Sequence, residues 1–293
     1  MLQSNRTRAG LLAVVVSLSS MQVGNGLAVG LIEAMGPSMA TTLRVGIGAL
    51  LLLPALLLNG SSIAPRPRSR PRQVAAYGIV LGLMQVSFYQ AISHITLSLA
   101  VSIEFLVPLI VGCLRSRSPR TKLPAVGAML GLGLIADYSG GSSLAGALWA
   151  LLTGVLLSIY IKLGTDMPPG THPLVMLSKA LWIALPVVVA AQLMSPSSVP
   201  PTMVPFTSGA IAVAVLTMII PFSLELFAMA RLRPLPFAMI SALDPALASA
   251  VGAVALHQLL NLRQFTGLII LTGCAVLAIW ADTKRAPDNH VKS

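Results

Sequence analysis

Apolar residues run along this chain in long blocks joined by short polar links. Ten blocks are distinguishable, at roughly 9–31, 40–58, 73–93, 97–114, 121–137, 144–163, 173–194, 206–230, 236–256 and 262–281. Each is ~17–25 residues, the length at which a helix rising 1.5 Å per residue spans a hydrocarbon layer of about 30 Å. The blocks carry no sustained alternation of period two, and several contain Gly or Pro. The pattern predicts ten transmembrane helices and no extramembrane domain. The longest link, about 59–72, is rich in Pro and Arg and reads as extended.

Composition agrees with that pattern. Of 293 residues, 56% are hydrophobic and 9% charged, against about 25% charged in a soluble domain. Too little polar sequence remains to coat a soluble core, so the chain reads as an all-α integral membrane protein. The opening, Met1 to Leu31, has the basic start and apolar run of a signal peptide. It shows no clear small-residue cleavage site and runs on too long, so it reads as a retained first helix.

A net charge of +11 would suit a nucleic-acid partner, but the basic residues are not arranged for one. Arg66, Arg68, Arg70 and Arg72 share one gap between apolar blocks. Arg115, Arg117, Arg120 and Lys122 share another, and Arg231 and Arg233 a third. Basic links on alternate sides mark cytoplasmic loops. With Arg6 and Arg8 inside, ten crossings return Lys284, Arg285 and Lys292 to the same side, so both termini are expected in the cytoplasm. Only Arg263 falls in a clear outer loop. Cys113 and Cys274 lie in apolar blocks with no metal-ligand or disulfide spacing.

The two halves resemble each other faintly. A shift of 137 lays "AISHI" (91–95) on "AMARL" (228–232) and Pro108 on Pro245. A shift of 140 lays Gly127 on Gly267 and Gly133 on Gly273. Two five-helix repeats follow, 1–138 and 139–285, with a cytoplasmic tail at 286–293. Five is odd, so the repeats must insert with opposite orientation. Inverted repeats are the architecture of carriers whose site lies near the bilayer midplane.

Three acids sit inside apolar blocks: Glu104, Glu225 and Asp244. An ionised group there costs roughly 2.5–3.5 kcal/mol on insertion scales. Each must therefore face a watery cavity, be paired, or be protonated. Asp244 precedes Pro245, and Asp-Pro is also a favourable N-cap and first-turn pair. It either caps a half-helix restarted at Pro245 or faces the cavity, and the two roles are compatible. Glu104 lies four residues before Pro108, where it cannot cap, so it lines a cavity or pairs with a basic residue. Glu225 shares a helix face with Pro221; it is functional, or a structural partner for Arg44 or another buried polar group.

Arg44 is either an anchor at the boundary of its helix or a cavity cation that attracts a carboxylate. Lys179 snorkels or is paired. Ser17, Ser19, Ser20, Gln22 and Asn25, with Gly24 and Gly26, are either substrate contacts or interhelical glue. Tyr89 and Gln90 are placed to line the same space, as is Tyr160 unless it anchors at the interface.

Enzyme signatures are missing: no HExxH, no Walker loop, no Gly-x-Ser-x-Gly elbow. The four histidines are scattered. No cofactor or metal is expected, and without a nucleotide site any driving force must be a gradient.

The stretches "LSLAVSIEFLVPLIV" (97–111), "PFSLELFAMARL" (221–232) and "LDPALASAVG" (243–252) resemble EamA-type members of the drug/metabolite transporter superfamily, most closely the threonine/homoserine exporter branch. "MQVGNGLAVG" in the first block and "IYI" (159–161) fit more loosely. The family usually has Glu-Pro where this chain has Asp244-Pro245. The resemblance implies export of small neutral amino acids or analogues across a bacterial inner membrane, by alternating access around a central cavity. Protons are the candidate coupling ion. It carries Glu104, Glu225 and Asp244 over as site residues, beside Gln22, Asn25, Tyr89 and Arg44 from the residue pattern. Readings left open are export of another metabolite or drug, a membrane enzyme on lipid-linked substrates, and a non-transporting sensor or assembly subunit.

Overall fold

A computed structural model describes residues 2–58, 71–95, 97–115, 119–135, 143–167, 172–194, 204–232 and 261–283, together with Phe237, Ile240, Ser241, Leu243, Asp244 and Leu247. Among them there is no strand. The helices are α1 (Leu2–Met35), α2 (Pro37–Leu51), α3 (Leu53–Leu58), α4 (Pro71–Ile92), α5 (Leu97–Arg115), α6 (Pro119–Ile135), α7 (Leu144–Thr165), α8 (Pro173–Met194), α9 (Val204–Ala214), α10 (Ile220–Met229) and α11 (Leu262–Thr283). A π-helical segment, Val215–Ile219, joins α9 to α10. Each apolar block outside 236–256 is thus helical, and most of 236–256 lies outside the described residues. Among the described residues, five helical stretches are long and apolar enough to cross a bilayer: Arg8–Ile32, Pro71–Ile92, Leu144–Thr165, Pro173–Met194 and Gly209–Met229.

Local sequence explains where the helices start. α2, α4, α6 and α8 each open on a proline, whose missing N–H is not needed in the first turn and whose φ is already helical. Ser143 caps α7, its Oγ accepting from the Gly146 amide. At α11, Asn261 and Gln264 form a reciprocal capping box. The Gln264 amide donates to Asn261 Oδ1 at 2.8 Å, and the Asn261 amide to Gln264 Oε1 at 3.1 Å.

Two predicted segments depart from a plain helix. The block at 40–58 breaks at Leu52, two residues before Pro54, which can neither donate to the ladder nor fit against the preceding turn. The Ser178 hydroxyl donates to the Leu52 carbonyl at 3.0 Å, tying the break to α8. The block at 206–230 widens into the π segment just before Pro221. There the Ile220 amide bonds back five residues to Val215. The wider turn relieves the clash a proline ring makes with the carbonyl four residues earlier.

The packing is inside-out by soluble standards. Leu12, Leu50, Leu130, Leu148 and Ile269 face outward, while Arg44, Glu104, Glu225 and Asp244 are buried. Lipid leaves no penalty for outward leucines, and polar groups find partners or water only within the bundle. The core joins Val14 and Leu18 of α1, Val45 of α2, Tyr77 and Leu81 of α4, Phe105 of α5, Leu132 of α6, Tyr160 of α7, Leu181 of α8, Phe222 of α10 and Leu271 of α11. Principal neighbours are α1 with α10, α4 with α7, α4 with α8, α2 with α8, α2 with α9, α5 with α7, and α6 with α11.

Candidate functional site

A central cavity of about 60 Å³, measured as space open to the centre of a water molecule, lies among these helices. One water needs ~10–15 Å³ by that measure, so it has room for a few. Glu104 (α5), Glu225 (α10), Asp244, Arg44 (α2) and Asn25 (α1) line it, with Gln85, Thr217, Met21, Met84, Phe88, Phe105, Leu157 and Phe222. The three acids that stood apart in the sequence therefore meet in one space. They are 8%, 8% and 4% exposed, in the order Glu104, Glu225, Asp244, and lie within electrostatic reach of one another.

Their partners differ. Glu225 is the most fully held. Its Oε2 accepts from the Tyr160 hydroxyl at 2.8 Å and its Oε1 from the Ser17 hydroxyl at 3.4 Å. Tyr160 is itself fixed between Tyr77, with ring centroids 4.9 Å apart, and Phe222, at 5.8 Å. Asp244 Oδ1 accepts from Gln22 Nε2 at 2.6 Å. Its predicted capping of Pro245 concerns a residue outside those described. No described group hydrogen-bonds the Glu104 carboxyl.

Close helix contact brings these groups inward. At Gly154 on α7, a Cβ would sit 2.6 Å from the Glu104 carbonyl oxygen, so α5 and α7 touch backbone to backbone at the acid. At Gly24 on α1, a Cβ would collide with Thr217 Cγ2 and lie 2.8 Å from Leu216 Cβ, so α1 lies against the π segment. There the Ser20 hydroxyl donates to the Leu216 carbonyl at 2.9 Å, and the single Ser17 hydroxyl proton is shared between the Pro221 carbonyl, at 3.2 Å, and Glu225 Oε1. Ser17 and Ser20 are thus helix–helix ties, while Ser19 is exposed and donates back to the Val15 carbonyl of its own helix at 2.9 Å; Gln22 reaches Asp244 and Asn25 lines the cavity.

Arg44 is not a boundary anchor. It is 5% exposed and lines the cavity. Nor is it the partner of Glu225: its Nη2 donates to Gln85 Oε1, and its guanidinium lies over the Tyr89 ring, 4.5 Å from the centroid. Tyr89 and Gln90 face a small neighbouring crevice, not the cavity. Lys179 is half-buried on α8. Gln85 was not singled out from the sequence. An amide one turn before Tyr89 in an apolar block was the available signal. The apolar lining carried none, because Met and Phe in membrane helices are unremarkable.

The chain is similar to known transporters over most of its length. Residues 8–135 match the EamA-like transporter family. The chain is 31% identical over 276 residues to the threonine/homoserine exporter RhtA of Salmonella typhimurium (strain LT2), covering 92% of this chain and 88% of that protein. To the threonine/homoserine exporter RhtA of Escherichia coli (strain K12) it is 30% identical over 263 residues, covering 87% and 86%. A solved crystal structure superposes with a TM-score of 0.73 over 97% of this chain and 99% of that one. At 17% identity that likeness speaks for the fold. These relatives are transporters, not enzymes, and with identity of this degree sustained along nearly the whole length, the chain belongs to the EamA-like transporter family.

Proposed function

We propose that the chain is a gradient-driven exporter of small neutral amino acids, such as threonine and homoserine or their analogues, in a bacterial inner membrane. It works by alternating access around the central cavity. The observation that carries this reading is the convergence of three acids and one arginine, from widely separated helices, on one cavity in a chain 30–31% identical to threonine/homoserine exporters. Three carboxyls beside a single guanidinium favour protons as the coupling ion.

Alternating access calls for two inverted five-helix halves, 1–138 and 139–285, with both termini cytoplasmic. Helix pairing supports this. Exchanging first-half with second-half segments turns the α1–α10 contact into α7–α4, and α4–α8 into α9–α2. The α2–α8 and α6–α11 contacts map onto themselves. The basic clusters near 66–72, 115–122 and 231–233 support the orientation.

Met21, Met84, Phe88, Phe105 and Phe222 in the lining favour a second reading, export of a more apolar metabolite or drug. Efflux of a labelled panel from vesicles, with and without a proton gradient, decides between them. Threonine or homoserine efflux that the gradient accelerates is expected. Efflux of apolar cations or drugs alone would replace the amino-acid reading.

A further inference from the structure

We propose that the cavity is a two-ended receptor for a zwitterion, in which Arg44 takes the carboxylate and Glu104 with Asp244 takes the ammonium. This deepens the exporter reading and rests on it for the substrate class.

The argument starts from how Arg44 is held. Its two contacts, Gln85 and Tyr89, lie one turn apart on α4, and neither is an anion. They fix the plane of the guanidinium without neutralising it. Nε is buried and has no acceptor among the described residues. A guanidinium has five N–H donors in a rigid fork that matches a carboxylate, and Gln85 occupies one of the four on the terminal nitrogens. A buried cation left without an anion is costly. Three acids line the same cavity, yet none pairs with it. A structural arginine would have been matched to one of them; this one has no anionic partner among the described residues.

The acids are graded in the same sense. Glu225 already accepts from Tyr160 at Oε2, and its Oε1 shares the Ser17 proton with the Pro221 carbonyl. Asp244 uses Oδ1 for Gln22, leaving Oδ2 without a donor among the described residues. Glu104 receives no donor from them. An ammonium brings three N–H donors, and Glu104 and Asp244 have the acceptor capacity to meet them. Phe88, Phe105, Leu157 and Phe222 complete the lining with apolar surface for an uncharged side chain. A compound missing either charged end would leave Arg44 or the two acids uncompensated, and sites built to bond a polar group reject analogues lacking it most strongly.

The test uses purified wild type, Arg44→Gln, Arg44→Lys and Glu104→Gln in liposomes. Counterflow of labelled threonine is competed with threonine amide, which lacks the anionic end, and with 3-hydroxybutyrate, which lacks the cationic end. Wild type should prefer threonine to either by ~10-fold or more, the worth of one charge-assisted bond. Arg44→Gln should raise the threonine KM by a similar factor and narrow only the preference over threonine amide. Glu104→Gln should narrow only the preference over 3-hydroxybutyrate. Arg44→Lys, which keeps the charge, should fall between wild type and Arg44→Gln. A general packing defect would weaken every competitor alike, and that outcome, or a threonine KM in Arg44→Gln within about twofold of wild type, overturns the proposal. Thermal unfolding of the detergent-solubilised wild type with the same three compounds is read in parallel. Stabilisation by threonine alone supports the two-ended site; equal stabilisation by all three, or by none, overturns it. Stabilisation by threonine without any vesicle exchange would remove the exporter reading and leave the zwitterion site standing.

Discussion

Gln22 in α1 donates its side-chain amide to Oδ1 of Asp244 across 2.6 Å, joining residues 222 positions apart. Both are buried, 3% and 4% exposed. An amide donor can hold a carboxylate in place without cancelling its charge. The contact ties the first helix to the segment that carries the third cavity acid, and it separates two roles that substitution can resolve.

Asp244→Asn keeps an oxygen able to accept from Gln22 but removes the charge. It should fold with a Tm close to wild type and export poorly. Asp244→Ala leaves the Gln22 amide buried and unpaired, at a cost of about 1–3 kcal/mol, so it should lose both Tm and export. Asp244→Glu should retain activity, with an altered substrate preference. Thermal unfolding and vesicle efflux measure both quantities; wild-type efflux from the Asn variant would reduce Asp244 to a structural role.

Tyr160→Phe removes the hydroxyl that serves Glu225 at 2.8 Å and keeps the ring packed on Tyr77 and Phe222. A loss of ~1–3 kcal/mol in stability is expected. In Glu225→Gln the same Tyr160→Phe change should cost less, because the partner charge has gone. A double-mutant cycle in detergent reads the coupling, and purely additive effects would mean the hydrogen bond contributes nothing.

Gly24→Ala should push α1 away from the π segment, since the added methyl would collide with the Thr217 and Leu216 side chains. Both Tm and efflux should fall. Gly26→Ala, where nothing lies within 4 Å, should be neutral or stabilise by up to ~1 kcal/mol from helix propensity. Equal behaviour of the two variants would argue against the close approach.

Orientation is tested by single cysteines in a background lacking Cys113 and Cys274. A cysteine at Gly140 should react with an impermeant thiol reagent added to whole cells, and one at Ser69 should react only after the membrane is permeabilised. The opposite pattern would invert the topology.

Glu104→Gln is expected to insert and accumulate almost normally, because no described group bonds its carboxyl, and to lose most efflux. Quantitative blotting with vesicle transport separates the two effects; unchanged efflux would make the residue incidental.

What was legible without coordinates was what a bilayer demands of each segment by itself. Apolar run length, helix-opening prolines and the cost of a charge in lipid are local, so the positions of the described helices and the need of Glu104, Glu225 and Asp244 to leave the lipid could be read directly. Partnership could not. Nothing near Arg44 in sequence points to Gln85 over Glu225, or near Asp244 to Gln22, because those choices depend on how separate helices rotate and approach. The same holds for the break at Leu52 and the π turn before Pro221. Proline signals trouble at both, but whether a helix breaks or widens depends on the packing around it: Ser178 of α8 bonds the Leu52 carbonyl in one case, and Ser20 of α1 the Leu216 carbonyl in the other. Sequence alone determined which groups had to leave the lipid; tertiary packing decided which of them would meet.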